Sequence, residues 1–291
     1  MISRGTKVRG RRGVAAIIAA VLLFPVTAAP LERASRTLTL SPGAATDEAP
    51  DKQPNGAFSL PVPGRAPEGA GLQAEALAKA RDLNNRAIEL QHEGRLAEAQ
   101  ALYEQCLTVL QRSFGPDHPV FAAALANLAA LYQTKGRFPD AEKLYARALS
   151  VLRESLGPDH HIIAFNLNNL AMLYVSENRY ADAEAVFKKS LIMLEEGLGP
   201  EHAATLANRH NLALLYGKLD RFIEAEALYK TNQVILERMG IPDKTPLVRT
   251  LAKLEELYVK QGRHGEANAL SARIRLLQAC TQPEYRGEGC P

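Results

Sequence analysis

The sequence has no tryptophan and only three cysteines, at positions 106, 280 and 290. A small fold stapled by disulfides is thereby excluded. Neither sign of charge dominates, with 35 Lys and Arg against 32 Asp and Glu. Even the net +3 is local. Arg4, Lys7, Arg9, Arg11 and Arg12 all precede the first acidic residue, and taking those five from +3 leaves −2. The pI of 8.7 therefore describes the first dozen residues and gives no argument for nucleic-acid binding. With 46% apolar and 23% charged residues, collagen and a wholly disordered chain are excluded as well.

The apolar stretch at residues 14–24 is shorter than the ~20 residues a membrane span needs. A basic start, this stretch and the small residues up to Ala29 match a secretory signal over residues 1–29. Cleavage is favoured after Ala28, since a cut after Ala29 would leave Pro30 at the new N-terminus. The expected location is periplasmic or secreted, with no membrane insertion once the signal is removed. An uncleaved anchor is the alternative. No cysteine lies near the cleavage point, which argues against lipid attachment. Residues 30–70 carry seven prolines and four glycines with no traceable period, so a disordered linker is expected there.

From Leu72 onward the chain repeats every 42 residues. Gly94-Arg95, Gly136-Arg137, Asn178-Arg179, Asp220-Arg221 and Gly262-Arg263 hold the interval, as do Tyr132, Tyr174, Tyr216 and Tyr258. Within the second unit, Phe121, Leu125, Leu128, Ala129 and Tyr132 form one apolar helical face, and Ala141, Leu144, Tyr145, Ala148, Leu149 and Leu152 form another. Gly136 suits a left-handed helix stop, and Asn178 or Asp220 tolerate that conformation next best. Gly-Pro pairs at 115, 157 and 199 end the second helix. Each unit is therefore helix–turn–helix and the fold all-α, over residues 71–280 with a tail at 281–291. HEAT-like arrays share this period, as do propeller blades, but the alternating strands of a blade are absent.

Ala129, Ala171 and Ala213 stand where helices must approach closely. Tyr103, Tyr145, Phe187 and Tyr229 supply the matching bulk. This pattern resembles the tetratricopeptide repeat. The wording Leu167-Asn-Asn-Leu-Ala171 with Tyr174, and Leu198-Gly-Pro-Glu-His202, resembles its kinesin-light-chain type. The resemblance covers about residues 72 to 279 and implies a right-handed solenoid of five helical pairs. Its end units depart from the pattern at Leu90, Ser271 and Arg275, as repeats facing water on one side should.

His118, His160 and His202 recur at the same interval. Equivalent positions lie too far apart to converge on a metal, so a capping role at the next helix is expected and no metal site is. Cys106 reads as a small core residue, beside Ala148 and Ser190 in register. Cys280 and Cys290 are expected to pair in an oxidising compartment. Nucleophile-elbow, zinc, phosphate-loop and dinucleotide motifs are all missing, so no enzyme and no cofactor is expected.

Asn85, Asn127, Asn169 and Asn211 recur immediately before a core residue of each first helix, with Lys253 as the fifth. Asn84, Asn168 and His210 stand one residue earlier. In tetratricopeptide repeats this position looks into the concave groove, so the resemblance implies an amide ladder that grips a peptide. Asn provides both a donor and an acceptor for such a backbone. The alternative is that these amides bond within the solenoid. The expected function is a non-enzymatic scaffold for a protein or peptide partner. The rival is a structural spacer or oligomerisation module, which an exposed apolar stripe on the convex second helices would favour.

Overall fold

The computed structural model describes residues 70–279. The expected signal, the linker up to residue 69, Cys280 and the tail with Cys290 lie outside the described residues. Within them the chain forms ten helices and no strand. The first repeat is α1 (Ala70–His92) and α2 (Leu96–Phe114), and the second is α3 (Pro119–Thr134) and α4 (Phe138–Leu156). Then come α5 (His161–Ser176) with α6 (Tyr180–Leu198), α7 (Ala203–Lys218) with α8 (Phe222–Met239), and α9 (Thr245–Lys260) with α10 (His264–Ala279). The result is the expected all-α solenoid of five helical pairs.

The punctuation follows the sequence register. Gly94, Gly136 and Gly262 have φ of 77°, 71° and 72°, and Asn178 and Asp220 take the same left-handed conformation at 60° and 57°. The following arginine N–H bonds the carbonyl five residues back, as in Arg137 to Tyr132 at 2.8 Å and Arg221 to Tyr216 at 2.9 Å. This closes the first helix and fixes each arginine beside its tyrosine. The histidines cap the first helices. Nδ1 of His118, His160 and His202 accepts the N–H of Val120, Ile162 and Ala204 at 3.2, 3.2 and 3.1 Å. Asp243 does the same for Thr245 in the fifth repeat.

Alanines 129, 171 and 213, with 99, 141, 183 and 225, are completely buried, which lets paired helices close on Tyr145 and Phe187. A small polar residue on the second helix reaches back to the first in three repeats. Cys106 donates to the Ala80 carbonyl, Ser190 to Ala164 and Asn232 to Leu206. Cys106 is thus a buried thiol, and burial pushes its pKa up to about 12. Consecutive first helices touch directly, α3 on α5 and α5 on α7, with no comparable contact between second helices. First helices therefore line the inside of the curve and second helices the outside. At the N-terminal end, exposed Lys79 and Arg86 stand where Phe121 and Leu128 are buried one repeat later.

Candidate functional site

The inner face is built from the first helices, and its amides are not equivalent. Asn127 is 7% exposed, and its Nδ2 donates to Oδ1 of Asn84 at 2.7 Å. Asn211 Nδ2 donates to Oδ1 of Asn168 at 3.1 Å, and Asn208 Nδ2 approaches the same oxygen at 3.3 Å. Two members of the ladder thus tie a repeat to its predecessor. Asn169 would reach toward Ala126, which has no polar side-chain atom. Half-buried Asn169 makes no side-chain hydrogen bond among the described residues. Asn85 Oδ1 also lacks a partner there.

One turn beyond the ladder, Ile88, Ala130, Met172 and Leu214 occupy one register position. Ala130 is buried, Ile88 and Met172 are half-buried, and Leu214 is 38% exposed. The inner face therefore pairs an apolar row with an amide row. Ligand sites commonly combine an apolar lining with a few placed polar groups. Toward the C-terminal end the face becomes charged. Lys253 Nζ bonds Glu256 at 2.9 Å, and Lys260 meets the same carboxylate at 3.3 Å. The bond from Lys253 holds the Glu256 carboxyl below its usual range. His210 packs edge-on against Tyr229, centroids 5.3 Å apart. Burial, then the charges of Arg249 and Lys253, push its pKa down to about 4, so its imidazole is neutral at physiological pH.

Two further arrangements escaped the sequence reading. Arg209 is 3% exposed at the register position of Leu125, Leu167 and Leu251. Its guanidinium donates to Asn232 at 2.8 Å and to Glu195 at 2.6 Å, so a buried polar centre joins α6, α7 and α8. The register break at Arg209 was visible in the sequence; its partners were not. The second arrangement is a clasp at each seam. Tyr174, Tyr216 and Tyr258 donate to Glu142, Glu184 and Glu226 of the preceding repeat at 2.9, 3.0 and 3.0 Å. Arg179, Arg221 and Arg263 pair with those same carboxylates. Each guanidinium also stacks over its own tyrosine, 4.0 to 4.2 Å from the ring centre. Arginine alone combines that stacking with a forked ion pair. At the first seam Gln100 replaces the glutamate, accepting from Lys135 at 2.6 Å.

The tetratricopeptide repeat profile matches residues 80–153, 120–196 and 177–231, together more than half of the chain. No curated protein matches it. Among solved structures, kinesin light chain nearly identical TPR-like repeats from Podosopora anserina are 24% identical, covering 69% of this chain and 95% of that one, with a TM-score of 0.60. BtubC (BKLC) from P. vanneervenii is 22% identical over 77% of this chain and 97% of its own, with a TM-score of 0.57. The apo form of RapI is 18% identical, covering 67% and 69%, at 0.55. Likenesses of this size show the fold alone. In fold its repeats are of the kinesin-light-chain type, and the chain belongs to the tetratricopeptide repeat family.

Proposed function

We propose that this chain is an exported, non-enzymatic scaffold that binds a peptide segment or partner protein along the concave face of its first helices. One observation carries the reading: the partly open row Ile88, Met172 and Leu214 runs beside amides, of which Asn169 is uncommitted among the described residues. An extended peptide presents a backbone amide every ~3.3 Å and alternating side chains. Apolar side chains would enter the row and backbone groups would meet Asn169. Lys253 and His210 flank the C-terminal end of the same face. The basic-then-apolar start supports export, and the net charge of −2 left after residue 12 supports a protein rather than a nucleic-acid partner.

The test is a peptide-display selection on the immobilised chain. The best binder is then cross-linked to chains carrying a photoreactive residue at Met172 or at Ile192. The reading expects cross-links from position 172 and none from 192. The opposite pattern overturns it.

A further inference from the structure

Exposed aliphatic side chains are ordinary when scattered. Here three of them stand in register. Ile192, Val234 and Leu276 occupy the same position in α6, α8 and α10, and are 54%, 59% and 50% exposed. Polar Thr108 and Ser150 fill that position in the first two repeats. The row is therefore confined to repeats three to five, on the outer helices, away from the groove. Seven residues earlier on the same helices, beyond the intervening lysines of α6 and α8, Ala185, Ala227 and Ala269 are also exposed. The terminal place of α10 does not explain Leu276, because Ile274 and Leu277 beside it point inward and are buried.

At its first two members, Ile192 and Val234, the borders of the row carry opposite charges. One turn before Ile192 stand Lys188 and Lys189; one turn after it stand Glu195 and Glu196. Around Val234 the order is the same, with Lys230 before and Glu237 after. Arg238 also lies on the acidic border, where Glu201 holds it. Lys188 and Glu195 have intramolecular partners, whereas Lys189 and Glu196 have none among the described residues.

We propose that this convex strip is a self-association surface, on which a second copy of the chain docks about a two-fold axis running along the row Ile192, Val234 and Leu276. Such an axis sets each aliphatic residue against its own counterpart and turns the helices antiparallel. It also exchanges the borders, so that the lysine edge of each copy faces the glutamate edge of the other. Lys189 lies three residues before Ile192 and Glu196 four after it. Antiparallel helices crossing at Ile192 therefore bring these two together twice. An axis across the row would instead set lysines against lysines. The acidic border disfavours an anionic lipid surface as the occupant. The dimer leaves both concave faces open, so the inference does not rest on the groove.

Sedimentation equilibrium of the full chain over a hundredfold concentration range tests it. The expected mass rises from that of one chain toward that of two. Replacing Ile192, Val234 and Leu276 by Ser, the residue at position 150, should leave helicity intact and abolish the rise. Lys189→Glu or Glu196→Lys alone should weaken association by about tenfold, and the two together should restore it. A wild-type mass of one chain throughout overturns the proposal. A dimer that survives the serine replacements overturns it too, as does a charge swap that fails to restore binding.

Discussion

Asn127 donates its side-chain amide to Oδ1 of Asn84, 2.7 Å away and 43 residues earlier in the chain. The bond crosses from the second repeat to the first and is buried on both sides, so it belongs to the stacking of the solenoid. Asn127→Ala should therefore lower stability by about 1–3 kcal/mol, because Asn84 is left with an unsatisfied buried amide. Thermal unfolding followed by circular dichroism checks this. An unchanged melting temperature would return Asn127 to the groove.

Arg209 interrupts the apolar core and is held by Asn232 and Glu195. Asn232→Ala alone should cost about 1.5–3 kcal/mol, since it removes a hydrogen bond to a buried charge. Arg209→Leu with Asn232→Ala restores the residue types of the second repeat. That double variant should be neutral or up to about 4 kcal/mol more stable. Denaturant titrations of the single and double variants check the order, and a double variant less stable than Asn232→Ala would refute it.

At Gly197 a Cβ would lie 2.5 Å from the Cβ of His161. Gly197→Ala should therefore destabilise by about 1–3 kcal/mol through overpacking. His161→Gly, which removes the Cβ that the new methyl would meet, should relieve most of that clash. A double-mutant cycle measures the coupling, and additive effects would contradict the contact.

The seam clasps carry the pH dependence. Glu184 is held down to about 2, first by the hydrogen bond from Arg221 and further by Lys188 and Tyr216. For Glu226 burial alone would raise the pKa, but bonds from Arg263, Lys230 and Tyr258 bring it to about 2. A carboxylate depressed in the fold contributes stability that is complete above its unfolded value near 4.5 and is lost as pH falls toward 2. Stability should decline steeply through that window. Glu184→Gln should flatten the decline and cost about 1–3 kcal/mol at neutral pH. Acid titrations of both proteins check it.

Much of this architecture was legible in the chain. The 42-residue interval placed every helix, the histidine caps and the left-handed stops at Asn178 and Asp220. What stayed hidden depends on how far one repeat is rotated and shifted over the next. The clasp joins Tyr216 to Glu184 and Arg221 to the same carboxylate across 32 and 37 residues. All three residue types recur in register, yet periodicity cannot say that they converge. The amide ladder was legible as a row and not as pairs. Asn84 with Asn127 and Asn168 with Asn211 share a spacing that Ala126 breaks for Asn169, and only the closeness of the first helices turns that spacing into bonds. The stripe of Ile192, Val234 and Leu276 was in the sequence throughout, but an aliphatic residue at 42-residue intervals reads as core until its face is known.

The central claim is that the concave face binds and that its amides divide into structural and recognising members. The most direct measurement is a calorimetric titration of a selected peptide into the Asn169→Ala, Leu214→Lys variant, with melting of the same sample. Losing a net hydrogen bond of ~0.5–1.5 kcal/mol and placing a charge in the apolar row should weaken binding by about tenfold or more. The melting temperature should be unchanged, since Asn169 makes no side-chain hydrogen bond among the described residues and Leu214 is already exposed. Affinity within twofold of the parent chain would contradict the account.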